Sequence, residues 1–195
     1  MRIRFNNAGQ CTVANEDGRV LSRFATEWEP AFNRQYATPL SPDGSLLLIG
    51  TWSRGLFCYR TIDGTLLWRA GPGRVRQLAV ANGTVVAEMA GRGVYQRQLK
   101  DGIIVRTIPM SGITSFFQLG PFELFVGPRR GRYFLLELPQ LTVRSTIPHH
   151  ILNPKRCLSF MILSCRRVGA GLEISGWEEH PFPLRRFRRL VSGAT

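Results

Sequence analysis

The chain has 195 residues, 44% of them hydrophobic and 20% charged, which is enough for one well-buried core and short for two domains. Lys and Arg number 26 against 13 Asp and Glu, for a net charge of +13. No apolar run approaches the ~18 residues of a membrane-spanning helix, and the N-terminus MRIRFNNAGQCTV has a basic start but no apolar h-region, so the sequence predicts a cytoplasmic protein without a secretory signal.

Strand signals begin at once. The phrase AGQCTVANEDG at 8–18 steps nine residues from Gly9 to Gly18 and is followed by the apolar run RVLSRF at 19–24. TEWEPAFNR at 26–34 has no counterpart later in the chain and reads as a loop or one helical turn. SLLLIGT (45–51) then leads into RGLFCYRTIDG (54–64), with the same nine-residue step from Gly55 to Gly64, and into TLLWRA (65–70). RQLAVA (76–81) and TVVAEMA (84–90) precede RGVYQRQLKDG (92–102) and IIVRTI (103–108). TSFFQL (114–119) and ELFVG (123–127) precede RGRYFLLELPQ (130–140), where Pro139-Gln140 replaces Asp-Gly, and LTVRST (141–146). His149-His150 after Pro148 reads as loop, and AGLEISGWEEH (170–180) keeps the Gly171 start while losing the Asp-Gly finish.

Short β-rich runs bounded by Gly, Asp and Pro are strand and hairpin signals, and Asp-Gly makes tight turns because Gly tolerates positive φ. The Gly starts at 9, 55, 93, 131 and 171 are 46, 38, 38 and 40 residues apart, a period of arrays and propellers. Each unit reads as a four-stranded antiparallel meander, so the sequence predicts an all-β fold: a small β-propeller of five blades in a single domain, 1–195, or an open, incomplete one. The first copy has only MRIRFNN before Gly9 and so lacks a lead-in strand; PLRRFRRLV (183–191) is expected to close the ring beside the N-terminus.

The stretch SPDGSLLLIGTWSRGLFCYRTIDGTLLWRA (41–70) resembles a blade of the WD-repeat and quinoprotein-like propellers, and that likeness extends over nearly the whole chain. The Trp-Asp and Gly-His signatures of those proteins are missing, and the quinoprotein ending survives only as DGTLLWR. The resemblance therefore implies a fold and carries over no site, no cofactor and no calcium ligand.

Residue patterns give no catalytic constellation. Neither GPGRVRQ (72–78) nor GPRRG (127–131) has the Lys-Ser/Thr and following helix of a phosphate loop, and both read as turns. Cys11, Cys58, Cys157 and Cys165 form no C-x-x-C pair and read as small buried hydrophobes, so no metal and no cofactor is expected. Glu16-Asp17 and Glu178-Glu179 read as turn pairs.

The basic residues carry more information. Twenty-four are Arg, against Lys100 and Lys155 alone, an imbalance that GC-rich coding produces by itself but that also suits bidentate recognition of acids. Arg129, Arg130 and Arg132 sit at one expected hairpin turn, Arg166 and Arg167 at its counterpart in the last copy, and Arg185, Arg186, Arg188 and Arg189 in the densest run. Alternation puts Arg186 and Arg188 on one face of that run and Arg185, Phe187 and Arg189 on the other, as in an edge strand. Trp177 and Phe182 in GWEEHPFP, and Trp28 and Phe32 in the insertion, are candidate exposed anchors, whereas Tyr133 or Phe134, Phe57 and Tyr95 are expected between blades. Together these residues predict a non-catalytic propeller that binds an acidic protein partner, in the manner of an immunity-type neutraliser or a complex subunit. The alternative is an Arg-rich nucleic-acid binder. No membrane association and no small-molecule substrate is inferred.

Overall fold

A computed structural model describes residues 1–6, 8–27, 40–89, 92–110, 112–128, 131–152, 159–179 and 184–192, with the backbone course alone at 159–161, 163, 177–179 and 184–185. Seventeen strands and one short helix lie among the described residues. The first sheet is β1 (Arg2–Phe5), β2 (Gln10–Ala14) and β3 (Val20–Ala25), and the second is β4 (Leu46–Gly50), β5 (Leu56–Arg60) and β6 (Leu66–Ala70). The third holds β7 (Val75–Ala81), β8 (Thr84–Met89), β9 (Gly93–Gln98) and β10 (Ile104–Ile108). In the fourth are β11 (Ile113–Gly120), β12 (Glu123–Pro128), β13 (Arg132–Glu137) and β14 (Thr142–Pro148), followed by α1 (His149–Leu152). The fifth is β15 (Ser159–Val168), β16 (Gly171–Glu179) and β17 (Leu184–Val191). Every sheet is a sequential antiparallel meander.

The expected all-β meanders are present at the expected places, with corrections. Two sheets have four strands; the other three have three among the described residues. Residues 149–152 form a helical turn instead of a loop, with Leu152 buried at its end. Arg166 and Arg167 lie within β15, and Glu178-Glu179 end β16, so neither pair sits at a turn. Among the described residues the expected pairing of the last run with the N-terminal strand is not seen: β17 pairs with β16 over eight residues, with Phe187 and Val191 buried in the core of that sheet. Most of the 26–34 insertion lies outside the described residues.

Repeated chemistry closes each unit. Asp63 and Asp101 accept the backbone N–H two residues on, from Thr65 (2.9 Å) and Ile103 (3.0 Å), while Gly64 and Gly102 both take φ of 72°. Asn15 instead accepts the N–H four residues on, from Arg19 (2.8 Å), ahead of the first sheet's last strand. The fourth copy, lacking Asp-Gly, turns through Leu141 at φ 52°. These glycines also seat the preceding sheet. Phe24 of β3 lies against Gly64, and Trp68 of β6 lies against Gly102, where an added Cβ would fall 2.7 Å from the indole. Trp68 Nε1 donates to the Leu99 carbonyl at 2.6 Å, so one indole fixes the spacing of the second and third sheets.

Met1–Pro109 and Met110–Thr195 are two compact units. In the first, Cys11, Val13 and Phe24 pack with Leu47, Ile49, Phe57 and Tyr59 between the first two sheets, and Leu48, Cys58 and Trp68 pack with Val80, Val85 and Met89 between the next two. In the second, Phe125, Tyr133 and Leu135 pack with Ile162, Leu172, Ile174 and Phe187. Phe125 stacks on Tyr133 at 5.5 Å, and Tyr133 on His149 at 5.9 Å. As expected from the repeat, Phe57 and Tyr133 are core residues, with Tyr95 packed against the core.

Among the described residues the last strand of each sheet pairs only with the strand before it, and four of the five are bulged at the same place. Leu21 on β3, Leu67 on β6, Val105 on β10 and Arg144 on β14 each drop out of the ladder to the preceding strand. The three aliphatic ones point to solvent. β17 alone keeps an unbroken register, from Glu179 opposite Leu184 to Leu172 opposite Val191.

Candidate partner-binding face

The solvent face of the fifth sheet collects the basic residues that the sequence singles out. On β17, Phe187 and Val191 are buried while Arg186, Arg188 and Leu190 are exposed, the alternation that a strand with one core face imposes. Arg189 turns to the covered side, its guanidinium 4.5 Å above the Phe187 ring, and donates to the Leu152 carbonyl. Across on β16, Glu173 stands opposite Arg166 of β15 and Leu190 of β17, and Ser175 stands opposite Ser164 and Arg188.

Glu173 is bridged from both sides. Arg166 Nε donates to one carboxylate oxygen at 2.7 Å and Arg188 Nε to the other at 2.6 Å. Those hydrogen bonds hold the Glu173 carboxyl below the usual carboxylate range and raise Arg166 further. Ser164 and Ser175 hydroxyls bond at 2.7 Å along the same face, and Val168 and Leu190 flank it as exposed aliphatics. Three exposed guanidinium groups (Arg166, Arg186, Arg188) thus share a flat face with Glu173. Surface Arg–carboxylate pairs are screened by water and contribute little to stability, so an incoming carboxylate can exchange with Glu173.

Other candidates land elsewhere. Arg167 is 22% exposed and grips Glu123 of β12 through two bonds, Nε at 2.7 Å and Nη2 at 2.6 Å, with Arg144 completing the cluster at 2.8 Å. That triad ties the fourth sheet to the fifth and lowers the Glu123 carboxyl, chiefly through the Arg167 hydrogen bonds. Arg132 opens β13 in solvent. The backbone sets Trp177 opposite Arg186 and Glu178 opposite Arg185. Arg129, Arg130, Phe182, Trp28 and Phe32 lie outside the described residues.

Sequence reasoning passes over the acids that organise these arginines. Glu123 and Glu173 are 50 residues apart; Glu173 meets Arg166 and Arg188 from the strands on either side of it, whereas Glu123 meets Arg144 from two strands away in its own sheet and Arg167 from the fifth sheet. It also passes over Glu88 of β8, 2% exposed, whose carboxyl is pushed up to about 7 by burial. Arg76 approaches it at 3.8 Å, beyond hydrogen-bond distance, so desolvation outweighs attraction. Trp52 carries the Arg74 guanidinium 3.3 Å above its ring. Burial raises the Cys11 thiol to about 11 and the Cys58 and Cys165 thiols to about 12, which keeps all three protonated and unreactive near neutral pH. Among the described residues no three His, Cys, Asp or Glu side chains converge as metal ligands, and no helix is long and apolar enough to cross a membrane.

No family model matches the sequence, and a search of curated proteins finds no match. Solved structures do share the fold. BamB from Moraxella catarrhalis superposes with a TM-score of 0.64 at 15% identity over 96% of this chain and 56% of its own. The C-terminal WD40 domain of Sif2 gives 0.62 at 12% identity over 96% and 53%, and dihydro-heme d1 dehydrogenase NirN gives 0.64 at 14% over 89% and 38%. The chain thus has the β-propeller fold common to WD40-type and quinoprotein-like proteins, and it spans about half the length of BamB and of the Sif2 domain.

Proposed function

We propose that the five sheets serve as blades of one non-catalytic propeller that binds an acidic protein through the solvent face of the fifth sheet. One observation carries this reading: Arg166, Arg186 and Arg188 stand on one exposed sheet face, where Arg166 and Arg188 share Glu173 and Leu190, 64% exposed, lies opposite that acid. Guanidinium groups recognise carboxylates in a planar, bidentate fashion, and adjacent aliphatic area supplies the apolar part of an interface. The propeller neighbours support the interaction role at the level of fold alone. A toxic effector neutralised by this chain and a larger assembly that incorporates it are two settings for the same chemistry.

Affinity capture of the tagged protein from native lysate, with nuclease present and moderate salt, tests the reading. One acidic protein is expected in stoichiometric amount with the wild type, and it is lost with Arg166→Glu/Arg186→Glu/Arg188→Glu. Partners that vanish on nuclease treatment, with nucleic acid recovered from the untreated sample, overturn it in favour of nucleic-acid binding.

A further inference from the structure

The outer face of the first sheet departs in chemistry from the rest of the repeat. In the second sheet, Leu48, Cys58 and Trp68 form one row across the strands and face the third sheet. The next row, Leu47 with Tyr59, packs against the first sheet. In the first sheet Cys11 takes the place of Cys58, between Phe5 and Phe24, and this row packs against the second sheet. The next row is Arg4, Thr12 and Arg23, and it points away from that core with both arginines exposed. Arg2, opposite Ala14, and Gln10, opposite Ala25, share the same face and are exposed too.

Terminal units of a repeat need a polar outer face, but polarity does not require a single sign of charge. No acid lies on β1, β2 or β3, whereas the fifth sheet balances Arg166 and Arg188 on Glu173. The first-sheet face also lacks the apolar centre of a protein interface. Ile3 and Phe5 turn to the core, and Val20 and Leu21 lie at the rim beside the turn.

From this we infer that the solvent face of the first sheet binds the phosphate backbone of a nucleic acid without regard to base sequence. The site lies in another sheet from the acidic-protein face and does not depend on it. Strand geometry sets Arg2 and Arg4 about 7 Å apart along β1 and Arg23 about 10 Å from Arg4 across the sheet, so the three reach several phosphates of one strand. Thr12 and Gln10 offer a hydroxyl and an amide to phosphate oxygens between them. The methyl groups of Ala14 and Ala25 let a backbone lie close to the sheet. Phe5 and Phe24 are on the core side, so this face has no aromatic on which bases stack, and its affinity comes from charge.

The probe is a short, labelled single-stranded oligonucleotide of mixed sequence, titrated between about 50 and 200 mM salt. Arg2→Ala/Arg4→Ala/Arg23→Ala is expected to weaken its binding about ten-fold or more at the lower salt and to flatten log K against log salt by about 2, as for three single-strand phosphates. Arg2→Lys/Arg4→Lys/Arg23→Lys keeps the charge and should keep the slope. Arg166→Ala/Arg186→Ala/Arg188→Ala removes as much charge from the fifth sheet and should change binding little. Equal losses in the two alanine variants would assign the affinity to net charge and overturn the site, as would no binding at the lower salt. A polyglutamate of equal charge that binds the wild type as tightly, and is lost with the first variant, replaces nucleic acid with an acidic protein and also overturns it.

Discussion

At the scale of the residue, one glycine and one indole show why the repeat is written as it is. Gly102 needs positive φ for its turn, and its missing Cβ makes room for Trp68 from the preceding sheet. Gly18 takes a similar φ with nothing within 4 Å of where its Cβ would be. The two substitutions should therefore separate. Gly18→Ala is expected to cost about 1 kcal/mol, the left-handed penalty alone. Gly102→Ala is expected to cost about 2–4 kcal/mol, because displaced packing of Trp68 adds to that penalty. Denaturant melts of both variants measure the difference, and equal costs would mean that the indole does not depend on the glycine.

At the scale of the element, the bulges explain why so much aliphatic surface can stay in water. Leu21, Leu67 and Val105 each stand out of the ladder at the same step of their sheets, where the strand bends and pairing with a further strand is interrupted. They bury little, so Leu21→Lys and Val105→Lys should leave stability within about 0.5 kcal/mol of the wild type. By contrast Phe187→Ala, at a core position of the unbulged β17, should cost about 3–5 kcal/mol. Thermal unfolding of the three variants checks the contrast. Strand alternation separates Arg186 and Arg188 from Arg185, Phe187 and Arg189, but with arginines on both faces of LRRFRRLV it does not say which face is buried. It says nothing of which strand β17 joins: among the described residues that strand is β16, where Leu172 and Ile174 bury beside Phe187, and not the expected N-terminal one.

At the scale of the whole molecule, two carboxylates should bend the stability profile in opposite directions. Glu88, raised from 4.5 to about 7, holds a proton in the folded state that the unfolded chain releases, so folding loses stability as pH climbs from about 4.5 to 7. A shift of this size corresponds to a loss on the order of 3 kcal/mol. Glu123 is lowered by Arg167 and Arg144, so its contribution is present above the ordinary carboxylate pKa and is lost as the solution is acidified below it. The stability maximum should therefore lie near pH 5, far from the isoelectric point near 11.1. Glu88→Gln is expected to flatten the upper limb and to stabilise the protein at pH 8. Melting temperatures of both proteins from pH 3 to pH 9 decide it, and an unchanged upper limb in the variant would assign the loss to another group.

Local chemistry determined what recurs. Nine-residue Gly-to-Gly steps, Asp-Gly turns and alternating strands follow from φ preference, side-chain capping and the two-residue strand period, all of which act within a few residues. From them the sequence itself yields an all-β repeat, the strand positions to within a few residues and the basic character of β17. Tertiary structure decided what depends on register. It drew Arg167 inward to Glu123, set Arg166 and Arg188 about Glu173, buried Glu88 with Arg76 3.8 Å away and kept β17 in unbroken register with β16. Which strands pair, and at what offset, is settled by burying side chains distant in sequence, and a one-residue slip would turn every one of these charges to the other face.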